Sequence, residues 1–200
     1  VLLMVNGGCA VHCRYCFRRN YDYAEWVPSR RQQDQWWAYL REHPEINEVI
    51  LSGGDPLMHK DSLLSELLAS VRKLPQIRYV RIHTRLPVVI PERLTDQLIE
   101  LLVRHQVVLV LHSNHAQEWA DAVLQQRLQK LRQLGVLCFN QAVMLAGIND
   151  SVAAQVALCQ ALDECGVLPY YVHCLDPVQG AAHFAVSRKT AQHIHWQVQA

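Results

Sequence analysis

Two hundred residues, half of them hydrophobic, suffice for one domain with a sizeable core. Nineteen Lys and Arg against eighteen Asp and Glu leave a formal net charge of +1, so no strongly acidic or basic partner is implied and nucleic acid has no electrostatic footprint to meet. The charges are well mixed, which argues against disorder, and no apolar run is long enough to span a membrane.

The dominant pattern is a strand-like run followed by a helix-like run, repeated. Strands are predicted at Val1–Val5, Glu48–Leu51, Tyr79–His83, Val107–Leu111, Leu137–Gln141 and Pro169–His173. They are short, apolar and rich in Val, Ile, Leu and Tyr, as fully buried parallel strands should be. Val1–Val5 has no basic lead and no small-residue cleavage site, so it does not read as a signal peptide. Helices fill the gaps. Arg30–His43 carries Trp36, Trp37 and Leu40 as a packing face and stops before Pro44. Asp61–Lys73 repeats leucine at helical spacing. Pro91 is expected to open a third helix, Trp119–Leu134 to end at Gly135, and Asn149–Ser151 to cap a helix that runs to Cys165. Ser187 caps a last helix. Strict alternation predicts an α/β fold with a parallel (β/α)6 part-barrel rather than an open dinucleotide-binding sheet, since no G-x-G-x-x-G follows any strand. Val1 begins in mid-strand and Ala200 ends in mid-helix, so the expectation is a piece of a longer protein.

The functional signal is concentrated after the first strand, in Gly-Gly-Cys-Ala-Val-His-Cys-Arg-Tyr-Cys-Phe-Arg-Arg, residues 7–19. Cys9, Cys13 and Cys16 are spaced C-x3-C-x2-C. Thiolates are the usual ligands of iron–sulfur clusters, and three of them leave one iron of a four-iron cluster without a protein ligand. The rival reading is zinc held by the three thiolates and His12, although structural zinc sites usually pair C-x2-C with a second distant pair, which this chain lacks. Buried structural cysteines are the bland alternative, and the flanking glycines and arginines do not read as core. The other four cysteines, Cys138, Cys159, Cys165 and Cys174, sit in apolar stretches and read as small core residues. Free thiols fit a reduced, cytoplasmic setting.

A barrel places its functional groups at the C-terminal ends of its strands. All six predicted strand ends carry polar residues there: the cysteine loop, Ser52-Gly53-Gly54-Asp55-Pro56-Leu57, His83-Thr84-Arg85, His112-Ser113-Asn114-His115, Asn140-Gln141, and His173-Cys174-Leu175-Asp176 continuing to Phe184. The strands themselves are nearly free of such groups, which makes the clustering a site rather than chance.

The cysteine spacing resembles the radical S-adenosylmethionine (SAM) enzymes, in which the free iron binds SAM and an electron from the [4Fe-4S] cluster splits it to a 5′-deoxyadenosyl radical. Tyr15 fits the aromatic that family has before its third cysteine. The strand-end motifs together resemble the lysine 2,3-aminomutase family over essentially the whole chain. They are Cys13 to Arg19, Ser52 to Leu57, Thr84 to Pro91, Asn114–His115, Asn140 to Asp150 and Tyr170 to Phe184. Cys-Arg-Tyr-Cys-Phe-Arg-Arg and Val-Gln-Gly-Ala-Ala-His-Phe look most like the branch serving elongation factor P.

The resemblance implies a single radical SAM core domain over residues 1–200, with flanking N-terminal and C-terminal segments missing. It implies an isomerase that converts L-α-lysine to (R)-β-lysine, with SAM regenerated and pyridoxal 5′-phosphate (PLP) as second cofactor. A separate ligase would pass the product to elongation factor P, and an external donor would supply the electron. No nucleic acid or membrane enters this account, and a homo-oligomer stays open. Residue by residue, Cys9, Cys13 and Cys16 would hold the cluster. Tyr15, Gly53, Gly54, Asp55, Asn114, His115, Asn140 and Gln141 would meet the cofactors, the glycines letting backbone oxygens approach the methionine amino group. Arg18 would clamp the substrate carboxylate and Asp176 receive a substrate ammonium group. His83, His112, His173 and His183 fall at the mouth and rank below these.

One departure matters. The family holds PLP on a lysine near its C-terminus, and none of Lys60, Lys73, Lys130 and Lys189 lies in that motif, which should follow the last residue here. No catalytic side chain is assigned for that reason. Two alternatives therefore stand beside the aminomutase: another radical SAM hydrogen-abstraction enzyme, or an inactive iron–sulfur-binding remnant.

Overall fold

The computed structural model describes residues 1–19 and 28–199; Ala200 lies outside them. Six strands form one sheet in the order β1 (Leu2–Asn6), β2 (Glu48–Gly53), β3 (Tyr79–Thr84), β4 (Val107–His112), β5 (Cys138–Val143) and β6 (Leu168–His173), every neighbouring pair parallel. The helices between them are α1 (Arg30–Glu42), α2 (Asp61–Arg72), α3 (Leu86–Val89), α4 (Asp96–Arg104), α5 (Ala122–Gln133) and α6 (Val152–Glu164), and α7 (Arg188–Gln199) follows β6. Each predicted strand is present within two residues at either end. The α/β part-barrel expected from alternation is the observed architecture, because parallel neighbours need a crossover and a helix is the usual one.

The core lies between the sheet and its helices. Leu51, Val80, Ile82, Leu109 and Leu111 of the strands meet Leu64, Leu68, Leu98, Leu102, Leu128, Leu131, Leu158 and Leu162 of the helices. Side-chain caps start most helices where the sequence offers them. Ser29 and Gln32 form a reciprocal capping box on α1, Thr95 caps α4, Asp121 caps α5, Ser151 caps α6, and the Ser187 hydroxyl accepts from the Thr190 amide. α7 packs separately, on Met144 with Val152 and Val186. Trp36 and Trp37 of α1 meet edge-to-face, their ring centroids 6.2 Å apart, and both pack against the core.

Five expectations are corrected. Pro91 starts only a short 3-10 turn, Pro91–Arg93, and α4 begins later behind the better cap Thr95. Trp119 closes another 3-10 turn, Ala116–Trp119, and α5 starts after Asp121, whose carboxylate accepts from two backbone amides. β6 is exposed throughout, with Leu168 at 53% and Tyr170 at 46%, and among the described residues only β5 pairs with it. The strands are not buried on both faces either: β3 and β5 alternate, and Arg81, His83 and Gln141 look into the open concave side. Of the four scattered cysteines, Cys138 and Cys165 are core residues, Cys159 is half-buried, and Cys174 is exposed in the loop after β6. No helix among the described residues is long and apolar enough to cross a membrane.

Candidate functional site

The loops after the strands surround a cavity of about 390 Å³ at the C-terminal end of the sheet. Cys9, Cys13 and Cys16 line one side of it, all three as free thiols. Two tight turns shape their loop, the Cys16 amide donating to the Cys13 carbonyl and the Arg19 amide to the Cys16 carbonyl, each at 3.1 Å. Burial, Asp55 and the other two sulfurs push the Cys9 thiol up to about 11, opposed by Arg18. Burial also raises Cys13, opposed by Arg85 and a hydrogen bond from Tyr15. Three ionised sulfurs at this spot repel one another, so the donor set suits a cationic group seated among them; the irons of a cluster answer to that. Among the described residues no three His, Cys, Asp or Glu side chains converge as ligands of a single metal ion.

The turn after β2 locks onto this loop. The Gly54 amide donates to Asn6 O and the Asp55 amide to Gly8 O, each at 2.8 Å. Gly53 has φ +130°, and a Cβ there would stand 2.2 Å from Asn6 O; one on Gly54 would stand 2.2 Å from Gly8 O. The glycines are thus required by the backbone of the chain itself, which comes closer than any side chain permits. Asn6 Nδ2 donates to Asp55 O at 2.7 Å, while Asn6 Oδ1 is buried without a partner. Arg18 Nη1 donates to Gly53 O, so that arginine has one end fixed and the rest of its fork in the cavity.

Asp55 lines the cavity, yet its carboxylate is saturated. Oδ1 accepts from Thr84 Oγ1 at 2.6 Å and Leu57 N at 3.0 Å, and Oδ2 from Arg85 N at 2.7 Å and Leu86 N at 2.9 Å. Burial pushes its carboxyl up and these four donors pull it down. Its side chain ties the β2 turn to the start of α3.

Tyr15 is a hub. Its hydroxyl receives Arg85 Nη1 at 3.0 Å and Asn114 Nδ2, and meets His112 Nε2 at 3.1 Å, the two rings stacked with centroids 5.8 Å apart. Arg85 is anchored in turn by Glu118, 2.5 Å away. Glu118 Oε1 also accepts from the amides of Asn114 at 2.7 Å and His115 at 3.0 Å. Glu118 is a site residue that the sequence reading missed; its signal was the capping-box spacing from His115. Replacing Glu118 by alanine strands two amides and the Arg85 guanidinium, so unfolding free energy should fall by about 2 kcal/mol in urea titration, and by about half as much for Glu118→Gln.

The predicted cofactor residues divide by position. Tyr15, Gly53, Gly54, Asp55 and Gln141 line the cavity, with Arg18 and Asp176. Asn114, His115 and Asn140 stand behind its wall. Asn114 Oδ1 accepts from Val143 N at 2.8 Å, and Asn140 Oδ1 accepts from Ser113 N at 3.1 Å and Ser113 Oγ at 2.8 Å. The His115 ring caps the turn at Gln117. Asp176 is exposed at the rim, with no ion-pair partner among the described residues. Arg18 and Arg85 line the same cavity.

His83, His112 and His173 also line the cavity. Burial and then Arg81 hold the His83 imidazole down to about 4, and burial and then Arg85 hold His112 down to about 3. Both are neutral in the fold, whereas the unfolded chain takes up these protons near pH 6.5. Their folded pKa values are depressed, so stability is full above about pH 6.5 and is lost as the pH falls toward 4. Between pH 7 and 5 the His112 contribution should cost about 2 kcal/mol, read by chemical denaturation, and His112→Asn should flatten that slope.

A family model described as the Radical SAM superfamily matches residues 3–117. The L-lysine 2,3-aminomutase of Escherichia coli (strain K12) is 49% identical over 96% of this chain and 57% of its own length. That of Haemophilus influenzae is 45% identical over 100% of this chain and 59% of its own length. The chain thus spans less than two thirds of these curated relatives. Among solved structures, Streptococcus suis SuiB bound to S-adenosylmethionine superposes with a TM-score of 0.70 over 99% of this chain and 47% of that one, at 16% identity. A radical SAM methyltransferase from Sphaerobacter thermophilus gives 0.71 over 99% and 63%, at 17% identity. At such identities the superpositions speak for the fold alone.

Proposed function

The chain belongs to the radical SAM superfamily, and from that premise we propose that the whole protein is a lysine 2,3-aminomutase making (R)-β-lysine from L-α-lysine. Residues 1–200 are its radical SAM core. The observation that carries the reading is the division of charge around one cavity: three free thiols and Arg18 on one side, Arg85 beside them, and Asp176 at the rim. A zwitterion with a second ammonium group matches that layout, its carboxylate toward Arg18 and its far amine toward Asp176. The names of the relatives support the same substrate.

Cys9, Cys13 and Cys16 would hold a [4Fe-4S] cluster, and Gly53, Gly54 and Gln141 border the space for SAM. When bound, the cluster and SAM supply a 5′-deoxyadenosyl radical, and PLP supplies the carrier for the migrating nitrogen. The residues of this chain orient the amino acid by its two charged ends and keep the cavity walls neutral through His83 and His112. The Tyr15–Arg85–Glu118 chain fixes the wall beside the thiols, so that reacting atoms are held in contact. The resemblance of Cys13 to Arg19 and of Val178 to Phe184 to the elongation factor P branch supports a product used to modify that factor through a ligase, in the cytoplasm, with an external electron donor.

The test is anaerobic. Full-length protein is reconstituted with iron and sulfide, then given SAM, PLP, a reductant, and lysine, glutamate or arginine in turn. β-Lysine forming from lysine with SAM retained is the expected result; 5′-deoxyadenosine accumulating in step with product would sink it. One observation favours a second reading for this segment alone. None of Lys60, Lys73, Lys130 and Lys189 lines the cavity, and Lys130 is paired with Asp96 at 3.0 Å. A covalent PLP site therefore falls outside the described cavity, and this segment by itself would cleave SAM without moving an amino group.

A further inference from the structure

We propose that Arg14 and Arg19 are positioning residues that clasp the cysteine loop to the loop after β6, and so set the distance between the thiols and Asp176. The proposal rests on the aminomutase reading of the site. β1 and β6 are the two edges of the sheet, and no ladder among the described residues joins them. Yet the loops they launch carry groups that must face each other, the thiols on one and Asp176 on the other. In an open sheet that spacing is set by whatever bridges the loops.

Two arginines bridge them. Arg14 Nη2 meets His183 Nε2 at 3.3 Å, and its guanidinium lies over the Phe184 ring at 5.0 Å. Arg19 Nη1 donates to the Gln179 carbonyl at 3.1 Å. The partners are 169 and 160 residues apart in sequence, so no local turn explains them. Gly180, beside that carbonyl, holds φ +77°, and a Cβ on it would lie 3.8 Å from Arg19 Nη1. The β6 loop has its own hold on the body. The Ala146 amide donates to Phe184 O at 2.9 Å, and Val178 and Ala181 are buried. The clasp therefore joins two anchored loops rather than trapping a free one. Neither arginine lines the cavity, so each acts through its loop. Stacking on Phe184 together with directional donation suits a guanidinium better than an ammonium.

The test uses the full-length enzyme with its cluster reconstituted and an Arg14→Gln/Arg19→Gln double variant. Iron content and reductive SAM cleavage without amino acid should stay within about twofold of wild type. KM for lysine should rise about tenfold, the equivalent of one charge-assisted hydrogen bond. 5′-Deoxyadenosine released per β-lysine should rise with it. Arg19→Lys, which keeps a donor for the Gln179 carbonyl, should recover part of the loss. In the apoprotein, amide hydrogen exchange over residues 175–184 should quicken while β2 to β4 stay protected. Unchanged exchange would remove the clasp. Faster exchange with unchanged KM and product ratio would remove the positioning role, and loss of iron in the double variant would make it merely structural. If wild type makes no β-lysine, the functional reading falls while the exchange arm still decides the clasp.

Discussion

Cys13→Ala is expected to abolish cluster binding, and with it reductive SAM cleavage drops to the level of protein-free reagents. The loop offers three thiols and the cavity offers no replacement, since among the described residues no other cysteine borders it. Cys13 has Arg85 and the Tyr15 hydroxyl beside it, both of which favour its ionised form. Cys9→Ala and Cys16→Ala should behave alike. Iron and sulfide analysis with visible absorption reads cluster content, and chromatography reads 5′-deoxyadenosine. Cys138→Ala is the control. Cys138 is 5% exposed and lies in the core, so its loss should lower stability by about 1 kcal/mol and leave the iron content alone. Full iron content in Cys13→Ala would refute the ligand assignment.

Asp55→Ala should be the most destabilising single change at the site, at about 3 kcal/mol, because it leaves the Thr84 hydroxyl and the Leu57 and Arg85 amides without their acceptor in a buried spot, while the Leu86 amide keeps Thr84 Oγ1 at 3.0 Å. Those donors belong to the β2 turn, the end of β3 and the start of α3. The substitution therefore loosens the joint that holds Arg85 near the thiols. Asp55→Asn keeps the shape but turns an amide NH2 toward the Arg85 and Leu86 amides or toward Thr84, and should cost about half as much. Urea unfolding followed by circular dichroism measures both. A loss below about 1 kcal/mol for Asp55→Ala would show that the carboxylate is not the tie it is drawn as. The Asp55 carboxylate is thus spent within the fold rather than offered to the cavity.

The comparison of Asp55 with Asn114 and Asn140 shows where sequence reading stops. All three stand at strand ends in motifs that resemble cofactor contacts. Only geometry reveals that the Asn114 and Asn140 amides are consumed by Tyr15, Val143 and Ser113, behind the wall. Glu118 carried only the capping-box spacing from His115, which reaches the amides of its own turn but not Arg85, which comes from the turn after β3. The glycines of the β2 turn were expected for a good reason, close approach, but the approaching atoms are Asn6 O and Gly8 O of the same chain.

Alternation of apolar runs with capped helices was enough to determine six parallel strands, their order along the chain, and the loops where chemistry had to gather. Side-chain periodicity and turn chemistry are local, and local patterns survive in a one-dimensional string. The C-x3-C-x2-C loop was equally legible, because its three donors are neighbours in sequence. Which strand-end polar groups face the cavity, which hold up its wall, and how β6 comes to lie bare at the edge were decided only by the tertiary structure. Those outcomes depend on contacts between residues tens to more than a hundred positions apart, such as Tyr15 with Asn114 or Arg14 with His183, and no spacing rule encodes them.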